Sequence, residues 1–557
     1  MVIIDTSFKL IQELVKEKIS IEDLEETLAN MGFELDEVEG NNIKIEITAE
    51  RTDLVTPQGL ARAIRSYKGF ETGYQEIQTK KSNYEHIIDK SVKDIRPYTK
   101  SFVVKNIHLD ETDIKTLMNT QEKIHQTFGR KRKKVAIGVY DLNKIKFPIT
   151  YKALKPNKIK FIPLDETKEM DANQIIEHHP KGKTYSHLLE NKSKYPIHID
   201  ANNQILSMPP IINSNKLGKI TTQTKNLFVE TTGTDENALD NIMNILATMF
   251  YDLKGEIHQV KITNQDTKQT TICPSLKNST RTIKAEYVNK VIGININTKQ
   301  AQKLIPKMGF NVLETKNDTI TVQIPSIRTD IWHEIDIADD IARAYGYNNI
   351  TPTLPNISTI GKMLPINILI ENLANFIVGL NYLELKTFSL TNHLDQFKKM
   401  NITPLDHIKL GKNTQDSNLN MIRCWLTPSL MQALVANRSK QYPQKVFEIG
   451  TVIIPDETKN VKAKNQENLV CIDVSEESDF TKIKQTLDAI LTFLNVEYQT
   501  QEFEHKSFMP GRSAKIIVNK KQIGFLGELD PQVLTNHGLI IPASAFEINL
   551  DLLNDLI

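Results

Sequence analysis

Apolar residues mark one structural module that occurs twice along the chain. Leu24, Leu28 and Met31 lie at the i, i+4, i+7 spacing of one helix face, and the same spacing returns 277 residues later. Met31-Gly32-Phe33 in the first stretch matches Met308-Gly309-Phe310 in the second. Because glycine readily adopts the left-handed conformation that ends helices, both copies predict a helix that stops at the glycine.

A strand follows the helix in each copy. Its apolar positions alternate, at Ile43, Ile45 and Ile47 in one copy and at Ile320, Val322 and Ile324 in the other. Arg51-Thr52-Asp53 and Arg328-Thr329-Asp330 stand where these strands end, and Thr or Asp at such a place can cap the next helix. The pattern therefore predicts a duplicated small αβ module.

The C-terminal part of the chain alternates strand-like and helix-like segments. Strands are predicted at 383–388, 446–450 and 469–472, a hairpin at 514–518 and 522–526, and helices at 426–438 and 480–494. The predicted fold class is accordingly α+β and multidomain, with an antiparallel sheet in this part of the chain.

Composition narrows the class of protein. The chain has 557 residues, of which 39% are hydrophobic and 25% charged, which is typical of globular protein of about three to five domains. Its 69 basic and 68 acidic residues give a formal charge of +1, so net charge gives no reason to expect a nucleic-acid partner, although the sum leaves room for a local basic patch. The 3 cysteines are far apart, which argues against a disulfide framework or a zinc knuckle. With no signal peptide and no long apolar run, a cytoplasmic location is expected.

The second copy of the module differs from the first by its carboxylates. Three of them share one helix face and a fourth ends the preceding strand: Asp336, Asp339, Asp340 and Asp330. The matching helix positions of the first copy hold Gly59, Arg62 and Ala63. Like charges repel unless a cation lies between them, and a hard divalent ion such as Mg²⁺ would relieve the repulsion. A solvated acidic face is the alternative that the spacing leaves open.

The segment 328–350 closely resembles the β subunit of archaeal and eukaryotic-type phenylalanine–tRNA ligases. The resemblance continues through 121–142, 207–214 and 232–235, in the same order along the chain. In that family the segment is a tRNA-binding module with a Mg²⁺ site. The resemblance implies Mg²⁺ as cofactor and Asp330, Asp336, Asp339 and Asp340 as its ligands. The family commonly has Glu where this chain has Asp339.

The resemblance also implies a domain organisation. It assigns 1–80 to the first copy of the module, 85–265 to an editing domain, and 270–350 to the second copy with its metal site. It assigns 355–557 to a core like that of class II tRNA ligases. Class II cores hold ATP phosphates with arginines, one of them in an Arg-x-Glu motif. Here Phe447-Glu448-Ile449-Gly450 lacks that arginine, while Arg423 and Arg512 stand in other contexts, so we expect a catalytically silent core.

Editing is needed because a pocket for phenylalanine rejects an added hydroxyl only about 10²-fold. A second site that hydrogen-bonds the tyrosine hydroxyl and hydrolyses the wrong ester closes that gap. Two polar loops, 206–214 and 231–235, are candidates for this site. The predicted pocket residues are Leu206, Ser214, Thr232, Thr234 and Asp235, with Gly233 permitting close backbone approach. Ordinary turn chemistry, with Asp235 capping a helix, is the alternative for these loops.

A basic run and several histidines are two further features of this part of the chain. The basic run Arg130-Lys131-Arg132-Lys133-Lys134 predicts either a solvated loop or a guide for the tRNA backbone. Four histidines without metal spacing are interpreted as structural or surface residues: His125, His178, His179 and His187.

The resemblance finally implies partners. The whole enzyme would be an (αβ)₂ heterotetramer that makes Phe-tRNA(Phe) from phenylalanine, ATP and tRNA(Phe). The α subunit would hold ATP and phenylalanine, while this chain would edit Tyr-tRNA(Phe), contact tRNA and act as scaffold. Two other hypotheses are a free-standing Tyr-tRNA editing hydrolase and a non-catalytic RNA-binding scaffold.

Overall fold

The computed structural model describes residues 2–411 and 418–557. The chain forms two compact units, Met1–Leu354 and Pro355–Ile557, which are described separately. Among the described residues, none of the helices has the length and apolar character required to span a membrane.

The first copy of the module is a three-stranded antiparallel sheet with three helices. Its elements are β1 (Val2–Ser7), α1 (Phe8–Val15), α2 (Ile21–Asn30), β2 (Glu34–Glu39), β3 (Asn42–Ile47) and α3 (Pro57–Lys68). The strand order is β1-β3-β2. Leu24 and Leu28 are fully buried, and Gly32 after α2 has a φ of 84°, so the predicted helix and its glycine end are confirmed.

The middle of the first unit is built on a mixed ten-stranded sheet. Its strands are β4 (Thr79–Ile88), β5 (Tyr98–Lys105), β6 (Val135–Asp141), β7 (Ile149–Leu154), β10 (Tyr195–Ile199), β11 (Ile205–Met208), β12 (Ile212–Asn213), β13 (Leu227–Gly233), β14 (Glu256–Asn264) and β15 (Thr270–Cys273), while β8 (Lys160–Phe161) and β9 (Met170–Asp171) pair separately. Its helices are α4 (Glu111–Gln126), α5 (Ala172–His178), α6 (Pro180–Tyr185), α7 (Asn215–Gly218) and α8 (Glu236–Asp252). The strand order is β12-β11-β10-β7-β4-β14-β5-β13-β6, with β15 on β14.

Strand β13 lies between β5 and β6, and all seven of its residues are buried. Helix α8 follows it directly and packs on β5, β13 and β14. The side chains of β13 are therefore largely withdrawn from bulk solvent.

The second copy reproduces the first element by element. It consists of β16 (Ser279–Lys284), α9 (Ala285–Ile292), α10 (Thr298–Leu304), β17 (Asn311–Lys316), β18 (Thr319–Ile324) and α11 (Glu334–Tyr345), with the strand order β16-β18-β17. Gly309 has a φ of 79°, as its counterpart in the first copy does. The predicted duplication is confirmed.

The two copies pack on each other through matching residues. The Oγ1 atoms of Thr52 and Thr329, which are 277 positions apart, lie 3.1 Å from each other. Ser66 Oγ donates to the carbonyl of Pro306 at 2.7 Å, and Arg343 Nη1 donates to the carbonyl of Met31 at 2.7 Å. Each copy thus satisfies a backbone carbonyl at the helix end of the other.

The capping role predicted for the Arg-Thr-Asp motif is wrong. The N-cap residues of α3 and α11 are Thr56 and His333. Asp53 instead accepts two hydrogen bonds from Arg51, both at 2.9 Å. The aspartate turns back because a charge-assisted, two-point contact with a guanidinium is stronger than a single bond to a backbone amide.

The second unit contains a seven-stranded sheet covered by helices. Its elements are α12 (Pro365–Gly379), β19 (Leu383–Glu384), β20 (Leu390–Thr391), β21 (Met421–Ile422), α13 (Thr427–Ala436), β22 (Gln444–Pro455), β23 (Ala463–Val474), α14 (Phe480–Phe493), β24 (Gln499–Glu502), β25 (Phe508–Val518), β26 (Lys521–Leu529), α15 (Pro531–His537), β27 (Ala543–Asn549) and α16 (Leu550–Asn554). The order is β19-β22-β23-β27-β26-β25-β24, antiparallel except for the edge pair β19–β22.

Most of the elements predicted in this unit are found. The hairpin of β25 and β26 and the helices α13 and α14 lie where the sequence places them. The strand expected over 383–388 stops at Glu384, because Thr387 Oγ1 and its backbone nitrogen both bond to the carboxylate of Glu448.

Candidate functional site

A cavity of about 210 Å³ opens in the middle of the first unit. It lies between α4, the start of β6, strand β13 and the loop that joins β11 to β12. Its lining includes Met118, Gln121, Glu122, His125, Arg132, Ile137, Pro210, Asn213, Glu230 and Thr232. The wall therefore combines apolar side chains with many polar and charged ones, which could orient a bound small molecule.

Glu230 is the buried acid of this cavity. Its Oε1 accepts a hydrogen bond from the Tyr140 hydroxyl at 2.9 Å, and His198 Nδ1 lies 3.6 Å from the same oxygen. Its Oε2 has no hydrogen-bond partner within residues 2–411 and 418–557. A Cβ on Gly138 would stand 2.3 Å from Glu230 Oε1, so only glycine lets the strand beside it approach the carboxylate.

Burial governs the protonation of Glu230. It raises the pKa of the Glu230 carboxyl to about 8, against smaller opposing effects of the bond from Tyr140 and the charge of Arg96. Arg96 is itself buried and donates to Thr232, from Nε to Oγ1 at 2.9 Å and from Nη2 to the carbonyl at 2.5 Å. The cavity lining thus includes part of a buried polar network in which Glu230 Oε2 has no partner among the described residues.

A second polar group of the wall comes from helix α4. His125 Nε2 accepts the backbone N–H of Ile137 at 2.8 Å, and its Nδ1 lies 3.7 Å from Glu122 Oε2. Arg132 donates to the same Glu122 oxygen at 3.2 Å and to the carbonyl of Ile211 at 2.9 Å. Burial is the main cause that lowers the pKa of His125, to about 4.

The basic run follows α4 as a left-handed turn. Arg130, Lys131 and Arg132 have φ values of 49°, 53° and 65°, a conformation that is rare for three successive residues with side chains. The turn brings Arg132 into the cavity wall and leaves Arg130 and Lys131 exposed. Arg132 therefore belongs to the cavity wall, whereas Arg130 and Lys131 belong to a solvated loop.

The structure brings only part of the predicted pocket together. Of the five predicted residues, all of them described, Thr232 alone lines the cavity. Leu206 and Ser214 are buried, and the carbonyl of Leu206 accepts the N–H of Ser214 at 2.8 Å, so the pair closes the base of the lining loop.

Thr234 and Asp235 lie outside the cavity. Thr234 is exposed, and Asp235 caps α8 through the N–H of Ala238 at 3.0 Å and pairs with Lys134 at 3.1 Å. The helix-capping alternative for Asp235 is the one observed. Gly233 does permit close backbone approach, because a Cβ there would stand 2.3 Å from the carbonyl of Lys134.

Sequence reasoning missed Glu230 and His125. Glu230 had a visible signal, since it is the lone acid in the otherwise uncharged strand Leu227–Gly233. The sequence indicates only a structural or surface role for His125, because the group that bonds to its ring, the amide of Ile137, belongs to the backbone and has no sequence signature.

The four aspartates of the second copy do not converge. Asp330 and Asp340 meet on Arg328, whose Nη2 lies 2.6 Å from a carboxylate oxygen of each. The guanidinium also donates to the carbonyl of Met308 at 3.1 Å. The cation that the crowded carboxylates require is therefore supplied by the chain itself.

The other two aspartates have separate partners. Asp336 Oδ2 accepts the backbone N–H groups of Trp332 and His333, both at 2.7 Å, at the start of α11. Asp339 accepts from Arg343 at 3.0 Å and from Tyr347 at 3.1 Å.

The described residues contain no group of three or more His, Cys, Asp or Glu side chains placed to hold a metal ion. As placed here, the four aspartates do not fit a four-ligand site formed by this chain alone, and Mg²⁺ binding stays a prediction.

The second unit uses its buried charges internally. Arg423 Nη1 lies 2.7 Å from Glu448 Oε1, and both side chains are almost fully buried. Glu547 accepts the N–H groups of Leu426 and Thr427, both at 2.9 Å. Arg512 pairs with Glu528 at 2.7 Å. Arg423 and Arg512 are therefore engaged by carboxylates of the chain itself.

Comparison with known proteins shows which protein family this chain resembles. A family model described as "Phenylalanyl tRNA synthetase beta chain CLM domain" matches residues 350–550, and one described as "tRNA synthetase B5 domain" matches residues 281–347. The phenylalanine–tRNA ligase beta subunit of Pyrococcus horikoshii is 37% identical over 98% of both chains. That of Thermococcus sibiricus is 36% identical over 97% of both chains.

A solved structure agrees with these relatives. The N-terminal fragment of the phenylalanyl-tRNA synthetase β-subunit from Pyrococcus horikoshii is 35% identical, with a TM-score of 0.59 over 62% of this chain and 99% of the fragment. On these identities and on coverage of nearly the whole chain, this chain belongs to the family of phenylalanine–tRNA ligase beta subunits.

Proposed function

We propose that this chain works with a catalytic α subunit and that its own cavity edits Tyr-tRNA(Phe). The whole ligase would be a cytoplasmic class II (αβ)₂ heterotetramer that joins phenylalanine to tRNA(Phe) with ATP, and the α subunit would hold ATP and phenylalanine. Family membership supports the partnership, and the buried carboxyl of Glu230 supports the editing role.

The single observation that carries the editing proposal is that Glu230 lines the cavity while its Oε2 has no hydrogen-bond partner among the described residues. A cavity of about 150 Å³ can hold benzene, so about 210 Å³ admits a phenol ring. The hydroxyl of a tyrosyl group in this cavity would bond to Oε2. A phenylalanyl group would leave that oxygen unpaired, which costs about 1–3 kcal/mol. The site therefore favours the wrong amino acid, as an editing site must.

The reaction that fits the site is hydrolysis of the aminoacyl ester. The water and the ester carbonyl would meet above Thr232, and Leu206 and Ser214 would act by holding the lining loop. The exposed cations Arg130 and Lys131 stand beside the cavity wall and suit the phosphates of the tRNA 3′ end.

The second unit has the properties of a scaffold. Its buried Arg423 already pairs with the carboxylate of Glu448, which leaves it unsuited to ATP phosphates. It exposes apolar side chains over a short stretch, among them Leu383, Phe388, Leu390 and Leu394. Such an exposed apolar surface suits a permanent partner, here the α subunit.

Co-purification tests the partnership. The chain is expressed with the α subunit encoded in the same genome, and the mass of the complex is measured by light scattering. A 2:2 complex that charges tRNA(Phe) with phenylalanine is expected. Full Tyr-tRNA(Phe) hydrolysis by the chain alone, without any complex, would favour a free-standing hydrolase instead.

A further inference from the structure

The geometry around His125 fixes the position of its proton. Nε2 of the ring lies 2.8 Å from the backbone nitrogen of Ile137, and a backbone N–H can only donate. Nε2 must therefore present its lone pair to that N–H. In the neutral ring the single proton is then on Nδ1.

This Nδ1–H is a buried donor without an acceptor. It has no hydrogen-bond partner in the described part of the chain, and the nearest carboxylate oxygen, Glu122 Oε2, is 3.7 Å away. Glu122 is already bound by Arg132 at 3.2 Å and by Gln126 at 2.7 Å. A buried donor left unpaired costs about 1–3 kcal/mol, so an acceptor that arrived with the substrate would be favoured at this nitrogen over the distant Glu122 oxygen.

We propose that His125 is the electrophilic catalytic residue of the editing reaction, with its Nδ1–H donating to the carbonyl oxygen of the aminoacyl ester. The inference rests on the proposed editing function and adds a role that Glu230 does not fill. Glu230 would recognise the amino-acid side chain, whereas His125 would stabilise the negative charge that develops on the ester oxygen.

The step balances without a proton transfer to or from the imidazole. The oxygen of water bonds to the carbonyl carbon, and the bond from that carbon to the ribose oxygen breaks. The ribose oxygen takes up a proton as the water loses one, and the released amino acid ionises in solvent. His125 keeps its proton throughout, because Nε2 is committed to Ile137 and has no free lone pair to act as a base.

The charges around His125 favour the neutral ring. Burial is the largest effect, and the nearby guanidinium groups of Arg132 and Arg96 act in the same direction, while Glu122 opposes them. The pKa of His125 is accordingly lowered to about 4, well below the pH at which tRNA is charged. The hydrolysis rate should therefore show no inflection near 6.5.

The test uses the complex with the α subunit and purified Tyr-tRNA(Phe). His125→Ala should lower kcat for hydrolysis about 10²- to 10³-fold with little change in KM. His125→Gln can accept from Ile137 and still donate, so it should restore part of the rate. The matched control is His178→Ala. Because His178 is exposed on α5, this variant should hydrolyse the ester at the wild-type rate.

Wild-type rates in His125→Ala would overturn the inference, and so would a wild-type rate that falls below pH 6.5 as a histidine base is protonated. A second measurement does not depend on how the variants fold. In the ¹⁵N spectrum of the histidine-labelled chain, His125 should carry its proton on Nδ1 between about pH 6 and 8. A proton on Nε2, or a charged ring, would overturn the inference.

The two proposals fail in different ways. If the wild-type complex hydrolyses no Tyr-tRNA(Phe), the editing function is wrong and the role of His125 falls with it. If the wild-type complex hydrolyses the ester and His125→Ala does so equally well, only the role of His125 is wrong.

Discussion

Thr52 and Thr329 occupy the same position in the two copies of the module, and their hydroxyl oxygens lie 3.1 Å apart. Equivalent residues of two copies meet in this way when the copies face each other around an approximate two-fold axis. The duplication is therefore an internal interface as well as a repeated fold.

A double-mutant cycle checks this contact. Thr52→Val and Thr329→Val each remove one hydroxyl, and the pair should show a coupling of about 1 kcal/mol in the free energy of unfolding. Thr298→Val is a suitable control partner for Thr52, because its hydroxyl bonds to Asp318 within the second copy. Equal coupling in both cycles would contradict a specific contact.

Arg328 should be the most sensitive charged residue of the second copy. Arg328→Met leaves Asp330 and Asp340 buried without their cation, and should lower the free energy of unfolding by about 3–5 kcal/mol. Arg281→Met is the control, because Arg281 is exposed. The free energy is measured by urea unfolding followed by circular dichroism. A stable Arg328→Met variant would refute the role assigned to the guanidinium.

Metal removal should leave this chain intact. Since Arg328 neutralises two of the aspartates and the other two have partners of their own, chelation by EDTA should not change the Tm of the purified chain. The double variant Asp336→Asn, Asp339→Asn should respond to added Mg²⁺ as the wild type does. A fall in Tm on chelation that the double variant abolishes would restore the metal site.

Some features of this structure can be predicted from the sequence, and others cannot. The repeat, the glycine ends at Gly32 and Gly309 and the alternating strands are local in sequence, so periodicity predicts them. The choice between a metal ion and Arg328 as the partner of Asp340 depends on a residue 12 positions away that no helix or strand period brings into view.

The residues of the candidate site are harder to predict from the sequence for a similar reason. Thr232 was predicted from its polar loop, but Glu230 acts because its strand is covered on both faces, and that burial is a property of the folded sheet. The loop Pro209–Asn213 closes on helix α4 only in three dimensions, which is how His125 and Glu230 come to line one cavity.

Stability should depend on pH through Glu230. The pKa of this carboxyl is about 8 in the folded chain and near 4.5 when unfolded, so the fold favours the protonated form. The stabilisation of the fold by protonated Glu230 is complete below pH 4.5 and is lost as the pH rises through 8. Glu230→Gln should remove that loss, so its advantage over the wild type in urea unfolding should grow from about pH 6.5 to 8.5. An unchanged difference across this range would contradict the raised pKa.

The most direct test of the central claim compares two esters on one complex. Hydrolysis of Tyr-tRNA(Phe) and Phe-tRNA(Phe) is measured on the complex of this chain with the α subunit, for the wild type, Glu230→Ala and the exposed control Glu190→Ala. The wild type and the control should hydrolyse the tyrosyl ester faster, and Glu230→Ala should lose most of that preference while still charging tRNA(Phe). A tyrosine preference that survives in Glu230→Ala would show that the cavity does not read the hydroxyl and would contradict the editing site described above.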